Sequence, residues 1–271
     1  MDFEVRLVRD RVLVQERGRT VREMTLEALI SVLAGAVDRP PNALVPGGVR
    51  LWCQRRDAVA CAIEVPPHAR SVRWLSPRSR VPFGPGAHYE RRYLAFPYVV
   101  VLVVLRGGEL TGLQQLYYRR APLEQGEDLL LPNLPNVAEG YGMRCWLCLN
   151  QLGAIAPLPW AKKVEAIGEH VFAAAFNRSS EVHEGNSYWG SKTAVEARVA
   201  TLEAWETASR ENGWFALDVP WRPAGTTVSA ELRRMLDAVV APLDVRTATD
   251  VVGLIQAVPA EGGAQCSFPW S

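Results

Sequence analysis

The sequence has no long apolar run, almost no net charge and too few cysteines for a disulfide framework. Its longest apolar stretch, Tyr98 to Leu105, falls far short of the roughly 20 residues that a bilayer span requires. The N-terminus, MDFEVRLVRDRVLVQERG, interleaves charged with apolar residues and so lacks the apolar core of a secretory signal. Lys and Arg number 30 against 29 Asp and Glu, a formal net charge of +1, which gives no bulk attraction to nucleic acid or anionic membrane. Five cysteines, Cys53, Cys61, Cys145, Cys148 and Cys266, are an odd and scattered set that suits reduced thiols. Neither an internal repeat nor a low-complexity segment is present. The expectation is a cytoplasmic protein without a membrane or nucleic-acid partner.

What is present is ordinary globular material. A 48% hydrophobic chain of 271 residues can bury a full core. Phe3 to Gln15 alternates apolar and polar residues around Arg9-Asp10, predicting a two-stranded hairpin over residues 1–24 that packs on the core. Thr25 to Val37 sets Leu26, Leu29, Ile30 and Leu33 on one helical face, with Thr25 as N-cap. Strands are predicted over Val49 to Gln54, Ala58 to Val65, Val72 to Leu75, Arg91 to Leu105 and Leu110 to Tyr118, the last two joined by Gly107-Gly108. Val99 to Val104 is apolar on both faces, so that strand requires cover on both sides.

Beyond residue 150 the period changes to that of helices, predicted over Trp160 to Phe176, Thr193 to Asn212 and Ser229 to Val240, with a short element over Thr249 to Val258 and a loose tail over 259–271. Strands followed by helices predict an α+β fold: an antiparallel sheet of four to six strands, an N-terminal helix, a cysteine loop and a helical C-terminal extension over 181–258.

Between the two halves lies LPNLPNVAEGYGMRCWLCLNQ, Leu131 to Gln151, where Pro132, Pro135, Gly140 and Gly142 break any regular period. A cysteine here acts as a nucleophile only if its thiolate is accessible, and a side-chain amide such as that of Asn136 would stabilise an oxyanion formed at it. Cys145-Trp146-Leu147-Cys148 is also a C-x-x-C, which leaves a thiol oxidoreductase open. His183 to Gly190 reads as a surface loop anchored by Tyr188 and Trp189, or as a roof over the cysteine. Arg70, Arg73, Arg78, Arg80, Arg91-Arg92 and Arg119-Arg120 read as solvated faces balanced by acids elsewhere.

Pro135-Asn136-Val137 followed by Gly142-Met143-Arg144-Cys145 resembles the active-site segment of ubiquitin-conjugating enzymes, a His-Pro-Asn turn followed by Gly-x-x-Cys. The order of elements over residues 25–180 is similar too. Trp74-Leu75-Ser76-Pro77, Phe96-Pro97, Asn136-Val137 and Phe172 to Phe176 resemble the prokaryotic relatives of the PRTRC system protein B type. Leu134 replaces the family's histidine, the Asn-to-Cys spacing is one residue longer, and a second thiol follows three residues later. The resemblance implies that Cys145 carries a ubiquitin-like modifier as a thioester and passes it to an amine. Asn136 would then support the oxyanion, and Glu139, or the more distant Asp128, would deprotonate the attacking lysine. The implied partners are a ThiF-like activating enzyme, a ubiquitin-like protein and a metal-dependent deubiquitinase-like protein; no cofactor or metal is implied. The alternative is an inactive member of the same fold that serves as a binding or scaffold subunit of a plasmid, phage or defence cassette.

Overall fold

The computed structural model describes residues 3–8, 11–26, 29, 48–123, 126–148, 155, 157–190 and 195–240. The predicted short element over 249–258 and the tail lie outside them, as does most of the predicted N-terminal helix. Thr25, expected to cap that helix, instead ends a strand. The N-terminal sheet, within residues 1–39, and the body, within residues 40–240, are separate compact units.

In the N-terminal unit the expected hairpin gains a third strand. Strands β1 (Phe3–Val8), β2 (Arg11–Glu16) and β3 (Arg19–Thr25) form an antiparallel meander. Arg17 and Gly18 both take left-handed backbone, at φ 51° and 79°, the two-residue turn that matches strand twist. Val12 and Val14 form its small core, with Met24, Leu26 and Leu29 against them.

The body starts with β4 (Val49–Arg55), β5 (Ala58–Val65), β6 (His68–Leu75), β7 (Tyr89–Phe96), β8 (Tyr98–Arg106) and β9 (Glu109–Arg119). Then follow β10 (Asp128–Leu130), β11 (Val137–Gly140), β12 (Met143–Leu147), helix α1 (Trp160–Ala173), β13 (Ala175–Phe176) and the short helix α2 (Ser179–His183). Helix α3 (Leu202–Glu211), β14 (Pro223–Thr227) and helix α4 (Val228–Val239) complete it. A curled antiparallel sheet runs β11-β12-β9-β8-β5-β4, with β10 bridging β9 to β14, and a smaller sheet runs β13-β6-β7. The α+β reading with an antiparallel sheet holds.

Prolines separate the two sheets. The predicted single strand over Arg91 to Leu105 is two, β7 and β8, parted by Pro97, and the predicted stub at Val72 starts at His68. Val65 pairs with Val99 on one side of the break and His68 with Phe96 on the other, in unchanged register. Pro67 therefore lies opposite Pro97. Neither residue has an N–H to give the ladder, so a ribbon that begins in the large sheet bends there and ends in the small one.

Both faces of the central strand are covered. Ile63 and Val65 stand against Gly168 of α1. On the other face Arg55, the cross-strand partner of Ala58, reaches the Asp237 carboxylate and the Val240 carbonyl at the end of α4. Residues 99–105 are at most 2% exposed. Helices α3 and α4 start where Thr201 and Thr227 accept hydrogen bonds from the N–H groups of Ala204 and Ala230. The predicted helix over 193–212 is shorter: α3 begins only after Thr201, preceded by a 3₁₀ turn at Ala197–Val199. The first helix ends at Ala173, and Ala175-Phe176 pairs with β6 instead.

Helix α3 also closes the free edge of β7. The Ala95 N–H donates to Ser209 Oγ at 2.8 Å, Trp205 Nε1 donates to the Ala95 carbonyl at 2.9 Å, and the Tyr93 N–H donates to Glu206 at 3.2 Å. Ser209→Ala, which leaves a buried N–H without a partner, is expected to cost about 1–3 kcal/mol, and Trp205→Ala about 3–5 kcal/mol. Urea unfolding checks both, and a Ser209→Ala midpoint equal to that of the parent would refute the edge closure.

Candidate functional site

The stretch read as an irregular cysteine loop is a hairpin for most of its length. Strands β11 and β12 turn at Tyr141-Gly142, both left-handed at φ 54° and 71°, and β12 joins the large sheet through Trp146 opposite Gln115. Ala138 pairs with Trp146 and Gly140 with Met143, so Arg144 and Cys145 together face Glu139 alone. This is a β-bulge, and it absorbs one extra residue. Cys145 takes φ 48° in it, a conformation that costs an ordinary side chain about 1–2 kcal/mol.

Met143, Cys145 and Leu147 point inward, and Cys145 has no exposed surface. Burial pushes its thiol well above the ordinary range, opposed by the neighbouring Tyr188 hydroxyl, with the carboxylates of Glu231 and Glu139 raising it further. Tyr188 also donates to Glu139 at 3.2 Å, and its own backbone N–H bonds the Val137 carbonyl at 2.8 Å. The loop carrying Tyr188 is thus anchored on the hairpin, with Ser187 bridged to Ala138.

Asn136 serves a different place. Its Nδ2 donates to the Ala175 carbonyl at 3.2 Å and its Oδ1 accepts the Asn177 N–H at 2.7 Å, so the side chain ties the hairpin to β13. The Asn136 carbonyl accepts the N–H of Cys148 at 3.0 Å. Cys148 is part-exposed, and Ser179 Oγ lies 3.9 Å from its sulfur. Burial raises this thiol too, with the Ser179 contact lowering it. The resemblance requires an accessible thiol at Cys145; that residue is buried, and it is Cys148 that is part-exposed.

Of the three residues singled out, Cys145 and Glu139 meet through Tyr188, while Asn136 sits with Cys148, Asn177 and Ser179. Asn177 continues the tie, accepting the Ser179 N–H at 2.9 Å and donating to Ala175 at 3.2 Å. Asp128 pairs with Thr227 at the start of β10. The loop of Tyr188 reads in the sequence as a surface loop or as a roof over the cysteine; Tyr188 stands beside Cys145, though nothing in its spacing singles out that residue.

Beside this segment two adjoining clefts share Trp74, Leu75, Pro77 and Trp189 and have volumes of about 260 and 300 Å³. Pro135, Asn177, Arg178 and Glu181 line the first; Thr201 and Glu203 line the second. The Trp74 and Trp189 rings meet edge to face at 4.7 Å, backed by Phe176 and Trp205. Among the described residues no three His, Cys, Asp or Glu side chains stand together as a metal site, and no helix is long and apolar enough to cross a membrane. No family model, curated protein or solved structure matches the chain.

Two outcomes follow for the thiols. In the native protein, alkylation read by peptide mass spectrometry should modify Cys148 and spare Cys145 and Cys61 until denaturant is added; equal rates at Cys145 and Cys148 would contradict the burial. Because Cys61 and Cys145 hold their protons more tightly folded than unfolded, their contribution is complete below the ordinary thiol range and is lost as pH rises through and above it. The urea midpoint should therefore drop between about pH 8 and pH 10, and less so in a Cys61→Ala/Cys145→Ala variant.

Proposed function

We propose that this chain acts as a binding subunit of a ubiquitin-like modification cassette, an inactive relative of the conjugating enzymes whose sequence it resembles. The observation that carries the reading is the fate of the expected nucleophile. Cys145 is fully buried in a strand, and the Asn136 amide that would serve an oxyanion is spent on Ala175. A buried, protonated thiol is a poor nucleophile.

What the surface offers is the aromatic cleft at Trp74 and Trp189, next to the Pro135-Asn136 turn. Rigid rings beside polar groups suit capture of an extended peptide. In the proposed role, the C-terminal tail of a ubiquitin-like protein lies there, delivered by a ThiF-like activating enzyme, with a metal-dependent deubiquitinase-like protein as a further member of the cassette.

One observation favours a second reading, in which the chain does carry the modifier. Cys148 is the part-exposed thiol, and it is Cys148, not Cys145, that contacts Asn136 and Ser179. The thioester would then form as the Cys148 sulfur attacks the modifier's carbonyl, held as a thioester on the activating enzyme, and releases that enzyme's thiol.

Incubation with ATP, activating enzyme and ubiquitin-like protein separates the two. The binding reading expects no thiol-sensitive adduct, and an affinity that Trp189→Ala lowers about tenfold or more in calorimetry. An adduct abolished by Cys148→Ser and retained in Cys145→Ser would establish the second reading. One abolished by Cys145→Ser would overturn both.

A further inference from the structure

The charge of this nearly neutral chain is unevenly placed. Residues 68–96, the β6–β7 ribbon and its loop, hold six arginines and a single carboxylate, Glu90. Two of the six are neutralised: Arg92 pairs with Glu90 and Glu206, and Arg70 with Glu169. Arg73, Arg78, Arg80 and Arg91 have no carboxylate within ion-pair distance among the described residues. Glu90 itself accepts from Ser76 and Arg92, and Glu206 is also held by Arg210.

The ribbon fixes two of these four directly against each other. Arg73 is the cross-strand partner of Arg91, and both are exposed. Like charges in that position repel; among the described residues Arg73 makes one hydrogen bond, a long one of 3.4 Å to the Ala173 carbonyl, and its guanidinium lies 6.0 Å from the centre of the Tyr89 ring. Along β7, Tyr89, Arg91 and Tyr93 alternate with buried or paired residues and so project from one face. Tyr93 is 37% exposed, and the two rings stand about 13 Å apart along the strand with the guanidinium between them.

We propose that this outer face of the β6–β7 ribbon binds single-stranded nucleic acid. Arg73 and Arg91 take phosphates, Arg78 and Arg80 extend the positive field from the adjoining loop, and Tyr89 and Tyr93, which have Arg73 and Arg210 over their rings at 6.0 and 5.7 Å, offer their remaining ring surface to bases. Guanidinium groups alone would serve an acidic protein equally well. The alternation of tyrosine with arginine on an open strand face is what favours a ligand with both phosphates and flat bases. The proposal is independent of the cleft and of either cysteine, and it assigns a role to arginines that the sequence alone presented as solvated and balanced.

The test uses the full chain and a fluorescein-labelled 20-nucleotide oligo(dT), followed by anisotropy at 50 and 200 mM salt. Binding is expected to weaken with salt. Arg73→Glu/Arg91→Glu should weaken it about tenfold or more, and Arg73→Gln/Arg91→Gln should flatten the log–log salt slope by about 1.4, two phosphates at about 0.7 each. Tyr93→Ala should weaken it about fivefold or more with the slope kept. Arg106→Glu, at an exposed arginine already paired with Asp57, serves as the control and should change little. Should a reversed variant be misfolded by circular dichroism, Arg91→Gln alone, which relieves repulsion and should not lower the urea midpoint, carries the comparison. Absence of binding, or equal losses in Arg106→Glu and in the ribbon variants, overturns the proposal. So does tighter binding of a polyglutamate peptide than of the oligonucleotide together with indifference to Tyr93→Ala, which would identify an acidic protein partner instead.

Discussion

The architecture of the body depends on three imino acids. Pro66, Pro67 and Pro97 fall at one level of a two-stranded ribbon whose register never changes, and together they deprive that level of ladder donors. Without the break, residues 58–75 and 89–106 would continue as one long hairpin in one sheet. With it, the near half joins the large curled sheet and the far half swings out to pair with β13. That swing creates what lies beyond the hinge: the edge that α3 must cover, the wall of the Trp74 cleft, and the exposed face carrying Arg73 and Arg91.

The cysteine hairpin is governed by a second, more local constraint. One residue more than the flanking pairing can hold is accommodated as a bulge, and the bulge turns Cys145 into the core beneath Tyr188. The same backbone delivers Cys148 to the end of the strand beside Ser179, where water can reach it. Asn136, paired with Cys145 in the sequence argument, does not serve it in space, because both ends of its amide are used to hold β13 against the hairpin. A carboxamide with its donor and acceptor both engaged is a structural tie, and its precision depends on the Asn177 carboxamide that repeats the pattern one step on.

Much of the sheet was legible because period-two alternation and left-handed turn glycines are local signals. β5 was located to the residue, and the β8–β9 hairpin was marked by Gly107-Gly108, both at positive φ. Errors arose where a single residue outweighs the pattern around it. Pro97 is one letter in an apolar run, yet it cuts the strand; Gly140 and Gly142 suggest an irregular loop, yet they lie in a hairpin. The burial of Cys145 was illegible for a different reason. It follows from a bulge, a register property that exists only once two strands are paired. The arginines were read through the balance of the whole chain, and only the strand register shows that Arg73 faces Arg91 rather than an acid.

The covering of β7 by α3 also dictates an order of events. Ala95 and Ser209 are 114 positions apart, so the ribbon can form from nearby residues long before its edge acquires a cover. During that interval, strand β7 presents open hydrogen-bonding groups beside Phe96, which suits pairing with a second chain as well as docking of the helix. On a ribosome the hazard lasts until the helix has emerged. How long that edge stays open is set by how fast Trp205 reaches its slot on Ala95, not by how stable the finished sheet is.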